Sequence, residues 1–213
     1  MFRITVRILL PLSLLTGLTI TFYYGYPFSI KDHSAFLQKE GEGSAELAKL
    51  HGYGSKAKLF CKEKGFNTAT CFLIDMGLPA GKNRFFVYDM LKDSIISDGI
   101  VAHGSCNHIF MDTPEFSNEP GCGCSSLGKY KIGYKYNGNF GTAYKLYGLD
   151  SSNNNAFKRN IVLHSYYQVP DKEVDPLPVC NSLGCAMVSN NYLKLLTVKI
   201  DASAKPVLLW IFE

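Results

Sequence analysis

No clustered stripe of lysine and arginine runs through this chain, and its formal net charge of +4 is small. Binding a nucleic-acid backbone needs such a stripe to neutralise successive phosphates, so no nucleic-acid partner is expected. The mild positive balance would suit an anionic wall or membrane surface, but a solvated lysine-rich face accounts for it equally well. Charged residues are sparse, at 19% of the 213 residues, and tryptophan occurs once, whereas Phe and Tyr number 14 and 13. With 46% hydrophobic residues the chain can bury enough apolar surface to offset the entropy of ordering, which excludes a disordered protein. No internal repeat is found, and the length fits one core better than two.

Charge is also missing from Ile8 to Tyr26, directly after Arg3 and Arg7. A short basic start followed by an apolar run is the pattern of an export signal. Small residues of the Ala-x-Ala kind do not follow it. Thr21, Phe22, Tyr23 and Tyr24 stand there instead, so the run is expected to stay uncleaved as a signal anchor over residues 1–26. The paired arginines place the N-terminus in the cytoplasm and the body outside the inner membrane, in the periplasm. No cysteine lies near the run, which argues against a lipid anchor. Residues 27–44 read as a tether.

Seven cysteines (61, 71, 106, 122, 124, 180 and 185) in an exported chain suggest disulfides, yet seven is odd and leaves at least one thiol over. Connectivity is not legible. His103, Cys106, His108, Cys122 and Cys124 could be taken for zinc ligands, but their spacing matches no finger or ribbon, and no metal or other cofactor is expected.

From residue 45 a single domain is predicted, with a helical N-terminal extension over 45–80 and a core over 81–213. Ser44 caps one short helix, and a second runs from Lys56 to Lys64 and stops at Gly65. The texture then turns to short strands: Cys71–Met76, Arg84–Met90, Ser94–His103, Lys129–Tyr134, Thr142–Tyr147, Asn160–His164 and Val207–Phe212. Pro79-Ala80-Gly81, Asn137-Gly138-Asn139 and residues 151–155 break the pattern between them. One further helix, Asn190–Lys199, carries Leu193, Leu196 and Ile200 on one side. The fold class is mainly β.

Two segments carry chemistry. In Asn181-Ser182-Leu183-Gly184-Cys185-Ala186 a cysteine follows glycine on a loop leading towards a helix, where backbone N–H groups and the positive helix end can lower a thiol pKa. Gly184 would let the backbone approach a substrate and leave N–H groups for an oxyanion. The strand pattern Asn160-Ile161-Val162-Leu163 ends in His164, placing an imidazole at a sheet edge. A thiol and a base suffice for acyl transfer. The plain alternatives are a small buried cysteine and a hydrogen-bonded histidine.

Several ordered segments resemble one family: Arg84-Phe85-Phe86-Val87-Tyr88-Asp89, Val101-Ala102-His103-Gly104, Phe116-Ser117-Asn118, Ser125 to Tyr130, Ile161-Val162-Leu163-His164 and Ser182-Leu183-Gly184-Cys185. Together they resemble the L,D-transpeptidase (YkuD-like) catalytic domain, in its murein L,D-transpeptidase-like branch. The resemblance implies a β-sandwich-like fold with a few flanking helices, with Cys185 as nucleophile, His164 as base and peptidoglycan stem peptides as partners. Ser165 stands where the family has Gly, Leu183 where it has His, and Ala186 and Met187 where an arginine follows the cysteine. Gly184, Ser182, Ser165 and His103 are candidates for oxyanion or substrate contacts, against the plain roles of a turn-forming serine and a structural histidine. A stretch around Pro170 to Pro178 reads as an inserted lid or specificity loop. The same site could serve an L,D-carboxypeptidase, and the altered motif flanks also fit a non-catalytic wall-binding module.

Overall fold

The computed structural model describes the backbone of residues 30–213, with side chains from residue 43 onward. The signal anchor expected over 1–26 lies outside the described residues, and among those described no helix is long and apolar enough to cross a membrane. The chain separates into two compact units, Met1–Ala48 and Lys49–Glu213. The second holds every strand.

The elements run α1 (Ile30–Lys64), β1 (Thr70–Asp75), β2 (Phe85–Asp89), β3 (Ser94–Gly99), β4 (Val101–Ala102), β5 (Gly128–Gly138), β6 (Gly141–Gly148), β7 (Val162–Ser165), β8 (Ala186–Val188), α2 (Asn190–Asp201) and β9 (Leu208–Phe212). Residues 27–44, read as a tether, are therefore helical from Ile30, and one helix replaces the two short ones expected. The reason for the misreading is Gly52 and Gly54, which interrupt the helical pattern. At Gly54 an added Cβ would run into the Tyr88 ring, so glycine is what lets the helix lie close on the sheet.

The strands form one sheet in the order β3-β2-β1-β9-β5-β6-β7-β8-β4. Its two end strands, β3 and β4, are consecutive in the chain and separated only by Ile100. Laid flat, nine strands would put those ends roughly 40 Å apart at the usual strand spacing. One residue cannot bridge that gap, so the sheet rolls until its edges meet. The expected β-sandwich-like fold is thus a single rolled sheet, and the strand expected over Ser94–His103 is split where the roll closes.

Alternation along each strand separates inside from outside. Phe72 and Ile74 of β1, Phe85 and Val87 of β2, and Leu209 and Ile211 of β9 point into the roll, where they meet Tyr130, Tyr144, Leu146 and Leu163. Each such side chain contributes about 1.5–3 kcal/mol through burial. Ser189 caps α2 by accepting the Tyr192 N–H at 3.1 Å, and Tyr192, Leu193 and Leu196 of that helix join the same core. The outward residues Cys71, Leu73, Phe86, Tyr88 and Leu208 are covered by Leu50, Ala57 and Cys61 of α1. Tyr53 stacks on Phe212 with ring centroids 3.5 Å apart.

The 166–185 crossover covers the outside of β4 and β8, through Val169 and Val179 against Ala102 and Met187. It is also fastened to the 79–83 turn: the Val174 N–H donates to Gly81 O at 2.9 Å, and the Asn83 N–H donates to Glu173 Oε1 at 2.9 Å. The stretch read as a lid or specificity loop is thus held against the 79–83 turn.

Candidate active site

β7 and β8 are parallel neighbours, with His164 opposite Met187 and Leu163 opposite Ala186. The register sets Cys185, the residue before β8, beside Val162, two residues before His164 in β7. Both line two adjoining cavities, of about 200 and 390 Å³. Phe140, at the turn between β5 and β6, is the third residue common to both. Cys185, His164 and Phe140 therefore form the wall between two spaces.

His164 is held in one tautomer. Its Nδ1 lies 3.0 Å from the Ser165 carbonyl, which can only accept, so Nδ1 carries the proton and Nε2 is the basic nitrogen. Ser165 thus contributes its backbone rather than its hydroxyl. Burial pushes the imidazole pKa down, against the hydrogen bond that Nδ1 donates to the Ser165 carbonyl, which raises it. Phe140 stacks over the ring, and Tyr166 meets Phe140 edge-on.

The thiol departs from expectation. Cys185 leads into β8, and α2 begins only at Asn190, so the helix end does not lie at the sulfur. Burial pushes the Cys185 pKa up, partly countered by the Val162 backbone N–H and by the charges of Lys145 and Arg159. With the thiol raised and the imidazole lowered, the resting pair is neutral. A pair in that state suits proton transfer in step with attack by sulfur rather than a preformed ion pair.

Ser182 lines the larger cavity but serves its own turn: its hydroxyl donates to Cys185 O at 2.8 Å and accepts the Gly184 N–H at 3.1 Å. The Gly184 N–H is therefore directed at Ser182 and not into either cavity. Gly184 has φ of 102°, and a Cβ there would collide with the Cys124 carbonyl oxygen. His103 is buried away from both cavities. Its Nδ1 accepts from Arg84 Nη2 at 2.8 Å, which makes Nε2 the donor to Met111 O at 3.1 Å, and burial together with the Arg84 charge lowers its pKa to about 4. Its carbonyl accepts the Ser182 N–H at 2.8 Å, so His103 anchors the nucleophile loop through the backbone.

Behind that loop Cys106 and Cys124 are joined by a disulfide, while Cys61, Cys71, Cys122, Cys180 and Cys185 are free thiols. The bond consumes two of the five residues weighed as zinc ligands, and the nitrogens of a third, His103, are engaged as described. Arg159 spans the same region: it donates to Ser117 O at 2.9 Å, Ser126 Oγ at 2.6 Å and Cys124 O at 2.5 Å. Those bonds occupy its guanidinium with neutral acceptors of the loop, so it is not turned to the cavities as a carboxylate ligand.

The profile of the L,D-transpeptidase catalytic domain family (YkuD_2) matches residues 47–210. No curated protein matches the chain in sequence. Among solved structures, similarity extends to the Ldtfm–avibactam carbamoyl enzyme at 11% identity and TM-score 0.43, covering 68% of this chain and 49% of that one. The helical cell shape determining protein Pgp2 from Campylobacter jejuni is similar at 16% identity and TM-score 0.40, over 68% and 48%. An L,D-transpeptidase from Mycobacterium smegmatis is similar at 12% identity and TM-score 0.41, over 68% and 59%. The chain spans about half the length of the first two. The family profile covers most of the rolled sheet together with both site segments, and the chain belongs to the L,D-transpeptidase catalytic domain family.

Proposed function

We propose that the chain catalyses cysteine-dependent acyl transfer on peptidoglycan stem peptides, outside the inner membrane to which its N-terminal segment anchors it. The observation that supports this is that Cys185 and His164, whose Nε2 is the basic nitrogen, both line the same two cavities. The Sγ proton passes to Nε2 as sulfur attacks the carbonyl carbon of an L,D-amide. The C–N bond then breaks, and His164 returns the proton to the departing D-amino acid, leaving a thioester on Cys185. An acceptor amine resolves the thioester, giving its proton to His164, and the C–S bond breaks to restore the thiol. Two cavities meeting at the sulfur offer separate room for the acyl donor and for the acceptor, which favours transpeptidation over simple carboxypeptidase trimming.

Incubating the full-length protein with stem tetrapeptide and analysing the products by mass spectrometry tests this. Cross-linked product, absent with Cys185→Ala, is expected. Trimmed product alone would make the chain an L,D-carboxypeptidase. Undiminished activity of Cys185→Ala would remove the mechanism, and the absence of any product together with the absence of a Cys185 adduct with a carbapenem would leave a wall-binding module.

A further inference from the structure

Lys145 lies in β6, directly beside Val162 of β7, and its side chain is buried at 5% exposure. Its ammonium donates to Asn160 Oδ1 at 3.0 Å and sits 4.8 Å from the centroid of the Phe157 ring. Among the described residues no carboxylate pairs with it. A buried ammonium without a counter-charge is costly, because neither an amide oxygen nor an aromatic face replaces the hydration of a full charge. The same Asn160 supplies its backbone carbonyl to Cys185, whose Sγ lies 3.9 Å away. Asn160 holds both groups because it adopts positive φ, 58°, turning its carbonyl one way and its amide another.

We propose that Lys145 is a positioning residue for the nucleophile: its buried ammonium, held by Asn160 beneath the smaller cavity, stabilises the Cys185 thiolate and lacks any other anion to pair with. The charges that act on Cys185 are those of Lys145 from β6 and Arg159 from the turn before β7, both cationic, and His164 from β7 lines the same cavities. Interaction with Cys185 in turn favours the charged form of Lys145, against burial, which disfavours it. Both groups therefore gain when sulfur carries the negative charge, which is the state in which it attacks. Lys145 touches no substrate; it acts through the thiol.

This inference rests on Cys185 being the nucleophile, and it is tested without peptidoglycan. The full chain is alkylated with iodoacetamide across a pH series and the Cys185 adduct is quantified by peptide mass spectrometry, since other free thiols are present. For Lys145→Met the adduct should form roughly tenfold more slowly near neutral pH and at the wild-type rate at high pH, where the thiol is ionised in both proteins. Lys145→Arg should recover most of the neutral-pH rate. A loss equal at every pH marks a merely structural role and overturns the proposal, as does an unchanged profile. Should the methionine variant not fold, the reciprocal measurement decides: in Cys185→Ser, the Lys145 ammonium, followed by NMR, should lose its proton at lower pH than in wild type. An identical titration would overturn the proposal. A Lys145-dependent alkylation profile in a protein inert towards stem peptides would sink the proposed activity and leave the thiol assignment standing.

Discussion

Phe140 stacks on His164 with ring centroids 5.3 Å apart and planes inclined by 23°. The ring comes from the tip of the β5–β6 hairpin and the imidazole from β7, so a turn residue restrains the imidazole. It also completes the wall between the two cavities. Phe140→Ala should remove the stack and merge them. An aromatic contact of this kind is worth about 0.5–1.5 kcal/mol, so kcat/KM should fall roughly two- to tenfold. The ratio of hydrolysed to cross-linked product should rise. An unchanged product ratio would show that the partition has no part in acceptor choice.

The pH dependence of the reaction follows from the neutral resting pair. His164 must be unprotonated to accept the thiol proton, and burial keeps it so to lower pH than an ordinary imidazole. Acid should therefore inactivate the protein only below the usual value of about 6.5. The acid limb of kcat/KM against pH measures this. A midpoint above that value would indicate that the imidazole is stabilised as a cation, contrary to the geometry.

Stability should respond to acid over a defined window. His103 binds its proton at about 4 in the folded protein and near the ordinary value, about 6.5, when unfolded. The unfolded state thus takes up the proton first as pH falls. The stabilisation is complete above about 6.5 and is lost progressively down to about 4, by roughly 3 kcal/mol. His164 adds in the same sense. Urea unfolding at a series of pH values checks this, and a midpoint constant across the window would contradict a neutral, Arg84-bound His103.

Gly184 offers a sharper test of the nucleophile loop. Alanine there meets both an unfavourable positive φ and the Cys124 carbonyl oxygen, so the loop must shift while the distant core need not. Activity should drop by about 10²-fold, the cost of a displacement near 1 Å, with the melting temperature little changed. Wild-type kcat would show that the loop is not fastened as described.

The strands were legible where aromatic and branched residues alternate, as in Arg84–Met90 and Val207–Phe212, because one side of each faces the roll and the other faces α1 or solvent. β8 was not, since three residues buried on both sides carry no alternation. The candidate site was visible as two separate segments, around His164 and Cys185, each with plausible chemistry. Its electrostatics were not: burial raises the thiol pKa, and the charge that opposes the rise comes from Lys145, which looks like a solvated strand residue in Thr142–Tyr147. Only the unbroken burial of residues 143–146 distinguishes it, and that comes from neighbours remote in sequence. Phe140 was likewise hidden, because a turn between glycines reads as a connection and nothing more.

The parallel pairing of β7 and β8 has a consequence for how this protein can vary. Backbone hydrogen bonds between the two strands set the separation of base and sulfur, while the long crossover between them folds back over the outer side. Gln168 and Cys180 on that crossover face the larger cavity. Relatives could lengthen, shorten or re-sequence it and so reshape that cavity, leaving the β7–β8 pairing untouched.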